Sequence, residues 1–372
     1  MAASLTRRQM LFRSSVAVGG VILAGRVGNA GEIILETEAS SGEALRMMWN
    51  ENPYGPSKVA REAMAKAFHE ANLYADGAID EMRSIIAEQV GLTRDHILLG
   101  TGSTEILQVV ALTNGTNGAE AISADPTFQA LNSYFENIGG TVHRVPVDDA
   151  LLLDLEAMGK KVNENTKLIY VCNPNNPTGT IVPDTELRPF CEEMSKRALV
   201  VVDEAYHEYV EHPGYRSLVD LVRGGHNVIV TRTASKIHGL AGLRVGFGIA
   251  QPELVKQLEY RLTGTMNIMG LRAAMASYRD PEFQSYCFNR NKQSKSIVYK
   301  TLRELNCRYL ESQTNFVFFE TGIPIEKIQK DMKSQGIRVG RPFPPFLKWC
   351  RLSMTKPDEM HEFAAALKRI MT

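Results

Sequence analysis

Short apolar runs alternate with amphipathic stretches along most of this chain, and that alternation predicts its elements. From residue 96, HILLG reads as a strand and STEILQVVALTN as the helix after it, with Ser103 as its N-cap. EAISAD followed by TFQALNSYFENIG repeats the pair, with Phe128 opening the helix, and TKLIYVCN is a further β-rich run. DTELRPFCEEMSKR reads as a helix with acids early and bases late, kinked at Pro189. LVVVDEA, NVIVTRT and VGFGIA read as strands. Near-continuous Val/Ile/Leu strands separated by helices predict an α/β fold: a mostly parallel sheet with helices on both faces. After about residue 263 the helical periods lengthen, as in QSKSIVYKTLREL, and TNFVFFE and KWCRLSM look half-buried or paired, which predicts a smaller α+β domain. The expected division is 31–75 as an arm contributing to the small domain, 76–262 as the large domain and 263–372 as the small one.

Residues 1–30 break the pattern. Arg7 and Arg8 precede a weakly apolar run from Val16 to Gly25, with the small residues Gly28 and Ala30 beyond it. The run is well short of the ~18 residues of a membrane span and reads as the core of an export signal. Paired arginines ahead of it resemble a Tat signal, which carries folded proteins; export to a bacterial periplasm is the expectation, with a cytoplasmic location as the alternative. The rest of the composition is that of a globular protein, with 372 residues, no formal net charge and 44% hydrophobic content. Balanced charge without a basic stripe gives no footing for nucleic acid. Five scattered cysteines show no disulfide framework and no CxxC pair, and read as small core residues. HEYVEH misses the HExxH zinc pattern by one residue, which on a helix rotates the second histidine off the face of the first, so no metal is expected.

Three residue groups fall where ligands sit in open α/β sheets, just beyond the carboxyl ends of strands: Asn173 to Asn176, Asp203 to Tyr206, and Thr233 to Lys236. A carboxylate closing a buried strand needs a cation or donors, and the protonated ring nitrogen of pyridoxal phosphate would serve Asp203. Tyr206, three residues on, and Asn176, in the turn NPNNPTG, suit the phenolic oxygen of the same ring. Lys236 supplies an amine for a Schiff base, its pKa lowered by burial and positive neighbours. Arg244 and Ser235 suit the phosphate, together with Gly102, Ser103 and Thr104 at a helix start. The aromatic face of Phe128 suits stacking on the ring.

NPNNPTG, VVVDEAY and TASKIHGLAGLRVGF, in that order and spacing, resemble the fold-type I, class I and II pyridoxal-phosphate aminotransferases. NENPYGPS and RTASK with AGLR resemble the histidinol-phosphate aminotransferases among them, over roughly residues 45–365. The resemblance implies that Lys236 is the Schiff-base lysine, Asp203 the pyridinium partner, and Asn176 and Tyr206 the ligands of the phenolic oxygen. It implies that Ser235 and Arg244 clamp the phosphate, and that Tyr74 in NLYADG reaches the phosphate of a neighbouring subunit in a homodimer. Arg351 in KWCRLSM would grip a substrate carboxylate or phosphate, with Arg341 as a second arginine and Asn52 and Tyr54 of NENPYGPS as further substrate contacts. The implied reaction moves an amino group from a small amino donor to a 2-oxo acid. A decarboxylase or lyase of the threonine-phosphate decarboxylase type, and a cofactor-binding protein without catalysis, are the alternatives.

Overall fold

In the strand Leu199–Asp203, Val200 and Val202 point into one buried apolar cluster and Leu199 and Val201 into another. That is the signature of a strand covered on both faces, and each valine so buried contributes roughly 1.5–3 kcal/mol. A computed structural model describes residues 44–372 of the chain, so the twin-arginine segment and the arm before residue 44 lie outside the described residues. Its central sheet has seven strands: β2 (Ile97–Gly100), β3 (Glu120–Asp125), β4 (Thr141–Pro146), β5 (Thr166–Cys172), β6 (Leu199–Asp203), β7 (Val228–Thr233) and β8 (Gly246–Ile249). The order is β2-β8-β7-β6-β5-β3-β4; β8 pairs antiparallel with both neighbours and the remaining pairs are parallel. The mostly parallel α/β sheet read from the sequence is therefore present.

A second layer joins the two ends of the described chain. β9 (Phe316–Glu320) pairs antiparallel with β11 (Trp349–Ser353), and β1 (Leu45–Met47) pairs parallel with β10 (Ile337–Val339). Met47, Val317, Phe319, Leu352, Phe363 and Leu367 share one apolar cluster there. Pairing β1 with β10 draws the segment after it, Met48 to Glu51, against the carboxyl end of the large sheet. The helix Ile268–Tyr278 packs differently from the helices after it: Leu271, Ala273, Ala274 and Met275 enter the cluster that covers one face of the seven-stranded sheet.

Local details differ from the sequence reading in three places. The helix Ser103–Asn114 is capped by Gly102, with no side-chain cap, so Ser103 is its first helical residue. Phe128 lies before the helix Ala130–Asn137, not in its first turn. The helix Asp184–Met194 continues through Pro189, where proline and Thr185, whose carbonyl loses a donor, are both exposed to water. Four of the cysteines are buried and Cys307 is partly exposed, all as free thiols. No described helix is long and apolar enough to cross a membrane.

Candidate active site

Loops after β2, β3, β5, β6, β7 and the strand Ile337–Val339 converge with the Met48–Glu51 segment and Arg351, in the middle of β11, on a cavity of about 440 Å³. One end is built to hold an anion. Gly102 takes φ +85°, and a Cβ there would lie 2.1 Å from Nη2 of Arg244, so only glycine lets the guanidinium come this close. Gly246 is equally constrained, since its Cβ would meet the backbone nitrogen of Ser103 at 2.1 Å. The uncapped helix start leaves first-turn N–H groups without side-chain acceptors, at the positive end of the helix dipole. Arg244 donates to the Ser235 hydroxyl (3.3 Å) and to the carbonyls of Ala241 (2.9 Å) and Thr101 (3.2 Å). Among the described residues it has no carboxylate partner, so its charge is available to a phosphate-like group.

The floor of the cavity carries an acid and an amine. Asp203 is 2% exposed and accepts from the Tyr170 hydroxyl (3.1 Å), the Thr231 hydroxyl (3.1 Å) and the Ala205 N–H (3.2 Å). All three are neutral donors, and burial dominates, pushing the carboxyl up to about 6. A cationic group in the cavity would restore the ionised form. Lys236 donates to the Asn50 carbonyl at 3.1 Å. Loss of hydration, then repulsion from Arg351, lowers its amine to about 8, which brings it within reach of proton transfer near neutrality. Its Nζ lies 5.5 Å from the Tyr206 ring centroid, and the buried Tyr206 phenol, its pKa raised by burial, accepts from Nδ2 of Asn50 at 3.0 Å.

A second cationic end faces this floor. Arg351 donates to Oδ1 of Asn176 (2.7 Å) and to the Met48 carbonyl (2.6 Å), while its buried Nε has no partner among the described residues. Burial lowers its guanidinium to about 10. Arg341 lies over Phe343 at 4.2 Å and Arg351 over the same ring at 5.0 Å, so two guanidinium groups meet one aromatic ring. Among the described residues neither has a carboxylate partner. The cavity therefore fits a flat ring with a cationic nitrogen at Asp203 and a phosphate at Arg244, plus a substrate whose anionic end meets Arg351 and Arg341.

Of the residues singled out from the sequence, Ser103, Thr104, Phe128, Asn176, Asp203, Tyr206, Ser235, Lys236, Arg244, Arg341 and Arg351 line this one cavity, and Gly102 abuts it. Three lie elsewhere. Asn52 bonds the Ile237 carbonyl (2.7 Å), Tyr54 packs on Tyr286 with its hydroxyl at Arg290, and Tyr74 is 87% exposed. Sequence reasoning missed Asn50, Tyr170, Thr231 and Phe343. Thr231 sits directly opposite Asp203 in the β6–β7 register, so only strand pairing reveals it. Asn50 stands two residues before Asn52 in the same motif, and its left-handed backbone is not legible in the sequence.

Comparison with known proteins assigns this architecture to a class. The family model for aminotransferase class I and II matches residues 43–367, and the chain belongs to that family. Histidinol-phosphate aminotransferases are among its relatives: one from Brevibacillus brevis is 37% identical over 335 residues, covering 89% of this chain and 91% of that protein. Another, from Bacillus cereus, is 35% identical over 340 residues, covering 91% of each. Among solved structures, histidinol-phosphate aminotransferase from Sinorhizobium meliloti in complex with pyridoxal-5'-phosphate superposes with a TM-score of 0.82 at 26% identity, covering 88% of this chain and 91% of that one.

The raised Asp203 pKa has a consequence for stability. The folded protein binds this proton more tightly than the unfolded chain. The resulting stabilisation is therefore present below the ordinary carboxylate pKa and lost as pH rises through about 6. The full effect is of order 3 kcal/mol. Asp203→Asn in the cofactor-free protein is expected to flatten the fall in melting temperature between pH 4 and pH 6 and to raise it at pH 7.5. Thermal melts across that range check it, and superimposable curves for both proteins would refute it.

Proposed function

We propose that this protein is a pyridoxal-phosphate-dependent aminotransferase that takes a small amino donor with an anionic tail, of the histidinol-phosphate kind, and a 2-oxo acid as acceptor. The observation that carries this reading is the pairing, across one cavity, of a buried carboxyl without a cation (Asp203) and a desolvated amine (Lys236), between two cationic ends. The uncapped helix start, Arg244 and Ser235 support a phosphate at one end, and Asp203 supports a pyridinium at the floor. Tyr206 and Asn176 are within the same wall to meet a phenolic oxygen. When bound, pyridoxal phosphate supplies an aldehyde that condenses with amines and a ring that accepts the electrons of a broken Cα–H bond.

The chain's own residues supply the rest. Lys236, its amine lowered to about 8, is the base placed to take the proton from the substrate Cα and, once charged, the acid that would give it back. Asp203 would hold a protonated ring nitrogen at the cavity floor, and such a cation would in turn keep Asp203 ionised. Arg351 and Arg341 bind the anionic end of the substrate and so fix which Cα bond faces Lys236. Identities of 35% and 37% to histidinol-phosphate aminotransferases favour amino transfer over decarboxylation.

Borohydride reduction of the native protein is expected to leave a pyridoxyl mass on Lys236, and its absence there ends this reading. Lys236→Ala should lower turnover by at least about a hundredfold. Arg351→Ala should raise KM for phosphate- or carboxylate-tailed donors by about ten- to a hundredfold, with a smaller effect on uncharged donors. Steady-state kinetics over a panel of amino donors, histidinol phosphate included, separates the two.

The same reading makes the protein a homodimer. Tyr74 is 87% exposed, with Leu73 at 60% and Phe68 at 67% close by in sequence, an apolar surface suited to a second copy. Sedimentation is expected to give twice the chain mass, and Tyr74→Ala to weaken cofactor retention; a monomer that keeps the cofactor contradicts it. Finally, the paired Arg7 and Arg8 support export. Fractionation should find the protein outside the cytoplasm and the Arg7→Lys, Arg8→Lys variant retained within it. Equal retention of both rules export out.

A further inference from the structure

We infer that Asn50 is a positioning residue of this site, tying strand β11 to the phenol of Tyr206 and the amine of Lys236. Asn50 is 1% exposed and takes φ 57°, a left-handed conformation that asparagine tolerates better than other residues with a side chain. Its backbone N–H donates to Oγ of Ser353 (2.8 Å), and the Ser353 hydroxyl donates back to its Oδ1 (2.8 Å). Its Nδ2 donates to the Tyr206 oxygen (3.0 Å). Its carbonyl accepts from Lys236 Nζ (3.1 Å) and from Nδ2 of Asn315 (3.0 Å). Every polar group of the residue is used. A buried asparagine that only closes a turn spends its bonds on nearby backbone. This one reaches residues far away in sequence, two of them the groups proposed for the chemistry.

The directions of these bonds define what Asn50 does. Its amide N–H occupies one side of the Tyr206 oxygen, so the phenolic proton is left to point elsewhere, and accepting that bond makes the hydroxyl a stronger donor. Its carbonyl gives the protonated Lys236 amine a fixed acceptor in a cavity that otherwise desolvates it. The anchor is firm: Ser353 and Arg351 are two apart on β11 and share a face, and Arg351 holds the Met48 carbonyl (2.6 Å) as Ser353 holds Asn50. Residues 48–50 are thus fixed at both ends by one strand.

The inference rests on the cofactor reading above, and the test separates the two. Asn50→Gly keeps the left-handed backbone and removes the side chain; Ser353→Ala keeps Asn50 and removes its anchor. The charged and titratable groups around the pair, namely Asp203, Glu51, Arg244, Arg351 and Cys172, are unchanged in both. In the holoenzyme, Asn50→Gly is expected to raise the pH midpoint of the visible cofactor band by about half a unit or more, because a weaker phenol donor stabilises the deprotonated chromophore less. It should also lower kcat about tenfold, with KM for the donor changed by less than about threefold. Ser353→Ala should shift both quantities in the same direction by less. Wild-type pH midpoints and kcat in both variants overturn the inference, as does a lowered melting temperature with the midpoint unmoved, which marks a merely structural residue. A wild-type protein with no visible band refutes the cofactor reading itself, and the positioning role with it.

Discussion

A carboxyl group at the end of a dry strand is the constraint on which the rest of this molecule turns. Asp203 is placed by β6, whose other residues are valines and leucine buried on both faces, so the acid cannot reach bulk water. The hydroxyls of Tyr170 and Thr231 supply donors but no charge. Without a cation the carboxyl drifts toward its neutral form; with a cationic ring it becomes an ion pair in a low-dielectric setting. The site is thus built for a partner that the twenty side chains do not provide there, although Lys236 and three arginines line the same cavity.

The arginines are kept for anions by the same economy of partners. Arg244 and Arg351 bond neutral carbonyls, a hydroxyl and an amide, and among the described residues neither meets a carboxylate. Their charge is therefore not neutralised among the described residues. It is felt at Lys236, where repulsion from Arg351 reinforces burial in holding the amine near neutral pH. Anion recognition and tuning of the base are one electrostatic arrangement. A substrate tail that neutralises Arg351 also removes part of what depresses Lys236.

The second layer contributes by geometry. β1 pairs with β10, and β11 with β9, so both ends of the described chain are brought over the carboxyl edge of the large sheet. Met48 to Glu51 and Arg351 thereby line the same cavity as Asp203 and Lys236. The helix Ile268–Tyr278 packs into the large sheet's core although it follows the change in sequence texture near residue 263, because its small and apolar face fits the cluster there.

The chain's own residues, read in order, determined the strands, the α/β class and most of the cavity wall. Buried strands are recognisable as continuous apolar runs, and ligand residues gather at their carboxyl ends by the geometry of parallel sheets. Asp203, Lys236, Asn176, Tyr206 and Arg244 were legible because polar residues in such places are costly and because together their order and spacing resemble the aminotransferase family. Only the tertiary structure decided which neighbours complete them. Thr231 meets Asp203 through strand register, Asn50 meets Tyr206 and Lys236 across long stretches of sequence, and Arg351 meets Asn176 from the other layer. It also set Asn52 and Tyr54 apart from the cavity, two and four residues past Asn50 in one motif. The left-handed backbone of Asn50 itself turns the chain there, and a backbone dihedral is not written in residue type.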